Sequence, residues 1–151
     1  MTLMRFAAHG VEPHRILFRD QLAQPDYYQS YAEIDLALDP GPCPGGTTSV
    51  DAVANGVPLL TLAGTDYYSR IGVVVLEPLG LSELITESWD DYVRRAVELA
   101  ADVEALDALR SRVRTAFDAS PRCDEVGFTR RLEGEFRKMF ELWRERREAG
   151  R

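Results

Sequence analysis

Asp39-Pro40-Gly41-Pro42-Cys43-Pro44-Gly45-Gly46-Thr47-Thr48-Ser49-Val50-Asp51 is the stretch on which the reading of this chain turns. The run just before it, residues 34–38 (Ile-Asp-Leu-Ala-Leu), is short and aliphatic, as a buried strand is. Pro and Gly then turn the chain, and Thr47, Thr48 and Ser49 supply the hydroxyls of a helix start. Strand, turn and helix in succession make the unit of a parallel α/β sheet, because parallel neighbours need a crossover between them. Gly45 and Gly46 let a ligand approach the backbone closely. The helix start offers free N–H groups and about half a positive charge, which suits a phosphate although the loop holds neither Lys nor Arg. Asp51 falls one turn into the helix, where its carboxylate can accept both hydroxyls of a neighbouring ribose. The same residues also read as an ordinary helix entry, since Thr48-x-x-Asp51 has the spacing of a capping box. The usual nucleotide loops, G-x-x-x-x-G-K-[ST] and G-x-G-x-x-G, do not occur.

Working outward, further strands are expected at residues 15–18 (Arg-Ile-Leu-Phe) and 57–62, with a weaker one at Leu84 and Ile85. The second half changes period. Val93, Val97, Leu99, Leu106 and Leu109 predict an amphipathic helix over 90–109, and Phe128, Leu132, Phe136, Met139, Phe140 and Trp143 predict another. Asp124 is a candidate N-cap for the last helix, and the charged end from Arg144 is expected to fray. Trp89 and Trp143 read as core or interface anchors. The expected architecture is α/β: a partial Rossmann-like parallel sheet flanked by helices, in a single domain over 1–151. An α/β core with helices occupies about 11–118, and a C-terminal helix 124–148.

Composition sets bounds. A chain of 151 residues with 45% hydrophobic content supports one ordinary core. Its net charge of −7 argues against nucleic acid or an anionic membrane as partner. Cys43 and Cys123 lie far apart without metal-ligand spacing, which fits a reducing, cytoplasmic setting and no metal site. The first ten residues, with Arg5 and His9, do not read as a secretory signal, and no apolar run is long enough to span a membrane.

The run from residues 15–18 through Ile34-Asp35-Leu36-Ala37-Leu38-Asp39 to Gly46-Thr47-Thr48-Ser49-Val50-Asp51 resembles the C-terminal catalytic region of protein O-GlcNAc transferases and SPINDLY-like glycosyltransferases. The likeness continues in Gly56-Val57-Pro58, Ser69-Arg70, Leu79-Gly80-Leu81-Ser82-Glu83-Leu84 and the closing helix, and covers about residues 11–143. It implies a GT-B fold, in which this chain corresponds to part of the nucleotide-sugar half. Inverting, metal-independent transfer is implied as well, with no cofactor beyond the donor substrate: UDP-GlcNAc or a similar sugar nucleotide, fucosyl in SPINDLY-like relatives. Carried over by position, Gly46, Thr47 and Thr48 would meet the diphosphate and Asp51 the ribose. Leu22, Gln24, Tyr27 and Ser30 fall on the base-recognition positions, where Gln24 would bond a uracil edge and Tyr27 would stack, unless Tyr27 simply packs beside Tyr28 and Tyr31. Arg70 matches an arginine near the active cleft, with a surface ion pair as the plainer reading.

Two departures stand out. The family has His where this chain has Gly46, removing a side-chain contact to phosphate or sugar. The family domain also begins earlier, with strands and a phosphate-contacting lysine, so the resemblance implies a chain incomplete for catalysis alone. An unpaired inner strand edge is then expected, covered by an N-terminal GT-B portion or by self-association. No residue is assigned as catalytic; His9 and His14 lie upstream of the matching core. The expected partners are a UDP-sugar and, in a full enzyme, a polypeptide acceptor. Two other readings stay open: a non-catalytic nucleotide-binding or interaction remnant of the same fold, and an epimerase-like relative.

Overall fold

The computed structural model describes residues 2–150. Three short parallel strands, β1 (Ala37–Asp39), β2 (Leu59–Leu62) and β3 (Ile85–Thr86), form one sheet in the order β1-β2-β3. Ala37 lies opposite Leu59 and Asp39 opposite Thr61; Thr61 lies opposite Ile85 and Leu62 opposite Thr86. Helix α1 (Thr2–Ala8) and helix α2 (Gln24–Ser30) precede the sheet, α3 (Thr47–Ala54) crosses from β1 to β2, and α4 (Ile71–Leu76) crosses from β2 to β3. Three longer helices follow: α5 (Trp89–Ala101), α6 (Val103–Asp118) and α7 (Glu125–Ala149).

The central strand explains the layering. Every residue of β2, Leu-Leu-Thr-Leu, is buried, the continuous apolar run of a parallel strand covered on both faces. On one face Leu59 packs with Val53, Val75, Leu76, Leu84, Leu106, Leu109 and Val113. On the other, Leu60 and Leu62 pack against Tyr92, with Leu36, Ala96 and Leu99 around them. Each such aliphatic side chain contributes about 1.5–3 kcal/mol by leaving water, so both faces of the sheet are held by several helices at once.

Several expectations are corrected. Residues 15–18 form no strand: Pro13–Arg15 is a 3₁₀ turn, and Leu17 and Phe18 are 75% and 60% exposed. An apolar run becomes a strand only where a neighbour completes its ladder, and none pairs with this one among the described residues. The helix expected over 90–109 is two helices, because Asp102 turns extended and its carboxylate caps α6 by accepting the Ala105 N–H at 2.9 Å. The face of α5 also differs. Tyr92, Ala96 and Leu99 turn inward, while Val93 and Val97 are 57% and 64% exposed. Trp89 and Trp143 are both exposed, which removes the core half of their reading and leaves the interface half untouched. Asp124 does cap α7, accepting the Gly127 N–H at 2.8 Å, but the helix runs on to Ala149 instead of fraying at Arg144. No residue of α7 is buried, and its apolar stripe from Phe128 to Trp143 faces solvent. No helix is long and apolar enough to cross a membrane among the described residues.

Candidate functional site

The loop leaving β1 is anchored from below by Asp39. This side chain is only 5% exposed, yet its carboxylate accepts three donors: the Gly45 N–H at 2.6 Å, the Thr61 hydroxyl at 2.9 Å and the Ser49 hydroxyl at 3.3 Å. A buried carboxylate persists only when it is bonded in this way. The knot explains two glycines. A Cβ on Gly45 would lie 2.5 Å from Ser49 Oγ and 2.6 Å from Thr48 Oγ1, and one on Gly72 would lie 2.1 Å from Thr61 Oγ1. Gly46 differs, since a Cβ there would meet nothing within 4 Å.

Helix α3 therefore starts in a fixed place. Gly46 is its N-cap, with no side-chain cap. The capping-box alternative fails, because Thr48 is the second helical residue and not the cap. The Ser49 and Val50 N–H groups both donate to Gly46 O, at 3.2 Å. Those of Thr47 and Thr48 find no backbone acceptor among the described residues, as expected of the first turn of a helix. One turn on, Asp51 Oδ2 accepts the Tyr27 hydroxyl at 3.0 Å. The Tyr27 and Tyr31 hydroxyls lie 2.6 Å apart, and Tyr31 also reaches Thr48 O at 3.3 Å. Burial, then the bonds to Tyr31 and to the Asp51 carboxylate, push the Tyr27 phenol well above its ordinary range, so it remains a donor at any physiological pH.

Between α2 and α3 lies an open cleft of about 760 Å³. Thr47, Thr48 and Asp51 line its α3 side, and Leu22, Gln24, Tyr27 and Ser30 the other. Residues as far apart in the chain as Leu22 and Asp51 thus meet around one volume. The Tyr27 ring packs edge-to-face on Tyr28 and Tyr31, each at 5.3 Å, and Ser30 turns its hydroxyl back onto Tyr27 O. Arg19, which the sequence did not single out, lines the rim in an ion pair with Glu33. Asp39 and Thr61 were missed as well, because an Asp ending a strand and a Thr inside one announce nothing until the fold brings them together.

Arg70 stands elsewhere. It lines a second cleft, of about 1110 Å³, beyond the carboxyl ends of the strands, beside Tyr67, Tyr68 and Trp89. Its guanidinium donates to Gly64 O at 3.0 Å and makes no ion pair among the described residues. His9 and His14 line neither cleft. No group of three or more His, Cys, Asp or Glu is placed to hold a metal ion among the described residues.

A parallel sheet whose first strand leads through a glycine loop into a crossover helix is the Rossmann-like kind of α/β unit found in GT-B glycosyltransferase domains. The profile of glycosyl transferase family 41 matches residues 2–132, and the chain belongs to that family. It is 38% identical over 132 residues to the probable UDP-N-acetylglucosamine--peptide N-acetylglucosaminyltransferase SPINDLY of Solanum lycopersicum, covering 87% of this chain and 14% of that protein. To the UDP-N-acetylglucosamine--peptide N-acetylglucosaminyltransferase of Caenorhabditis elegans it is 30% identical over 123 residues, covering 78% of this chain and 11% of the other. A solved mutant O-GlcNAc transferase of Thermobaculum terrenum superposes with a TM-score of 0.81 at 34% identity, over 91% of this chain and 27% of that one. The chain thus spans about a seventh of the length of the SPINDLY proteins it matches.

Proposed function

We propose that this chain is the donor-binding part of a protein O-linked glycosyltransferase and takes a nucleotide sugar, UDP-GlcNAc or a close analogue, in the cleft between α2 and α3. The observation that carries this reading is one juxtaposition. The Thr47 and Thr48 N–H groups and hydroxyls at the start of α3 share a single cleft with the Asp51 carboxylate one turn on. The first pair suits a diphosphate and the second a ribose, with Gly46 giving the phosphates open access. Leu22, Gln24 and Tyr27 then form the base side. Arg70, in the second cleft, belongs with the transferred sugar or the polypeptide acceptor and not with the nucleotide.

Transfer also requires an acceptor held in line and stabilisation of the departing diphosphate, and these residues supply only part of the latter. Catalysis therefore needs protein groups beyond those described. The free, exposed thiols of Cys43 and Cys123 fit a cytoplasmic setting. A non-catalytic interaction role is the second reading, and the exposed apolar stripe of α7 favours it. Titration calorimetry with UDP tests the donor site on which the first reading rests. Saturable binding that weakens in both Thr48→Ala and Asp51→Ala, with folding intact, is the expected result; a folded wild-type chain that ignores UDP overturns the donor-site reading.

A further inference from the structure

We propose that Tyr27 is a positioning residue for Asp51: its hydroxyl, not its ring face, sets the discrimination between nucleotides with and without ribose hydroxyls. The inference rests on the donor-cleft reading and concerns how that cleft recognises its ligand.

A carboxylate on a helix surface turns freely about its side-chain torsions, and a bidentate acceptor is useful only when its plane is fixed. Asp51 is fixed from across the cleft. Tyr27, on α2, donates its single proton to Oδ2 at 3.0 Å, while Oδ1 has no hydrogen-bond partner among the described residues. An ionised carboxylate offers about four lone-pair sites. Tyr27 occupies one of them, leaving both on Oδ1 and one on Oδ2 for two vicinal hydroxyls.

The support runs one residue deeper. With its proton committed to Asp51, the Tyr27 oxygen can only accept, and Tyr31 supplies a hydroxyl at 2.6 Å. Tyr31 lies 7% exposed among Ala52 and Val57, so its position is set by packing. The Thr48 carbonyl, 3.3 Å from the Tyr31 oxygen, is a second acceptor for the same proton, and the shorter bond to Tyr27 takes it. A ring merely stacked on a base would need none of these bonds, and the two roles separate at a single oxygen atom.

The test compares UDP with 2′,3′-dideoxy-UDP by titration calorimetry on wild type, Tyr27→Phe, Asp51→Ala and the double variant, with melting curves for each. Loss of a hydrogen bond to a charged group corresponds to roughly tenfold or more in affinity, and loss of one that only orients the ligand-binding carboxylate to a part of that, roughly five- to tenfold. Tyr27→Phe is therefore expected to weaken UDP by about that factor while moving the dideoxy compound less than about twofold. In the Asp51→Ala background the same change should do nothing more, since a residue acting through another loses its effect when that other is gone. Tyr31→Phe, which keeps the direct Tyr27–Asp51 bond, serves as the second variant and should lower the ratio by a smaller factor. An unchanged ratio in Tyr27→Phe overturns this inference alone. No UDP binding by folded wild type overturns the donor reading and this inference with it.

Discussion

Replacing Asp39 by Ala removes the acceptor on which the β1–α3 loop is built. The Thr61 hydroxyl, on a residue 1% exposed, and the part-buried Gly45 N–H would both lose their partner. Each stranded buried donor costs about 1–3 kcal/mol. Against this, the carboxylate no longer bears its own desolvation, which holds the net near the lower half of the sum, at about 3 kcal/mol. For a chain of this length such a loss lowers the melting temperature by about 6–12 °C. Urea unfolding at neutral pH measures it directly as a drop in midpoint at constant slope. Gly45 and Ser49 also hold the start of α3, so UDP binding should weaken in the same variant. A loss below about 1 kcal/mol would refute the reasoning, because it would mean that water or a rotated hydroxyl replaces the carboxylate and that the knot does not hold the loop.

The remaining predictions concern the two clefts and the sheet face behind them. Gly46→His should fold normally, since its Cβ enters open space, and should tighten UDP binding by adding the side-chain contact that the family resemblance implies there; a destabilised variant would contradict the open geometry. Arg70→Ala should leave UDP affinity within about twofold of wild type, because its guanidinium lines the other cleft, and a tenfold loss would place it on the nucleotide. The Tyr92 hydroxyl lies buried beside the backbone of Asp39 without a hydrogen-bond partner among the described residues, and burial pushes its phenol up to about 12. A raised folded value means that its stabilising contribution is complete below pH 10 and fades as pH climbs toward about 12. Up to about 2 kcal/mol should be lost over that window and largely retained in Tyr92→Phe, as urea titrations at each pH would show. Raising salt from about 50 to 500 mM should weaken UDP binding by no more than about twofold, since the proposed phosphate donors are local N–H groups and the protein's net charge of −7 repels the ligand only until it is screened. A steep fall with salt would shift the phosphate contact to Arg19.

What could be read in advance divides along physical lines. Residues 34–51 were legible because strand, turn and helix start each leave a local signature; Thr47, Thr48 and Asp51 line one cleft with Leu22, Gln24 and Tyr27, while Gly46 stays at the N-cap outside its lining. Residues 15–18 misled because an apolar run reports that something is covered, not that a ladder partner exists. The face of α5 misled for a related reason. Val93 and Val97 have the right spacing, but so do Tyr92, Ala96 and Leu99, and only the position of β2 decides which set turns inward. The break at Asp102 carries no Pro or Gly, and its one mark is an Asp three residues before the N–H it caps. Asp39 was invisible as an anchor because two of its partners, Ser49 and Thr61, are 10 and 22 residues away.

These long-range bonds fall into two groups that meet at α3. Asp39, at the end of β1, grips the loop and the first turn from the sheet side through Gly45 and Ser49. Tyr27, backed by the Tyr31 hydroxyl, grips the same helix from the other side through Asp51. On the proposed reading, the phosphate end of the cleft is therefore governed by the buried knot and the ribose end by the tyrosines, and the two differ in exposure. Substitutions in the knot strand buried donors and must cost stability together with binding. Removing the Tyr27 hydroxyl leaves a carboxylate that a cleft open to water can solvate, and the Tyr31 hydroxyl it also strands has the Thr48 carbonyl at 3.3 Å as a replacement acceptor, so it should alter selectivity at nearly constant stability. The split follows from burial alone.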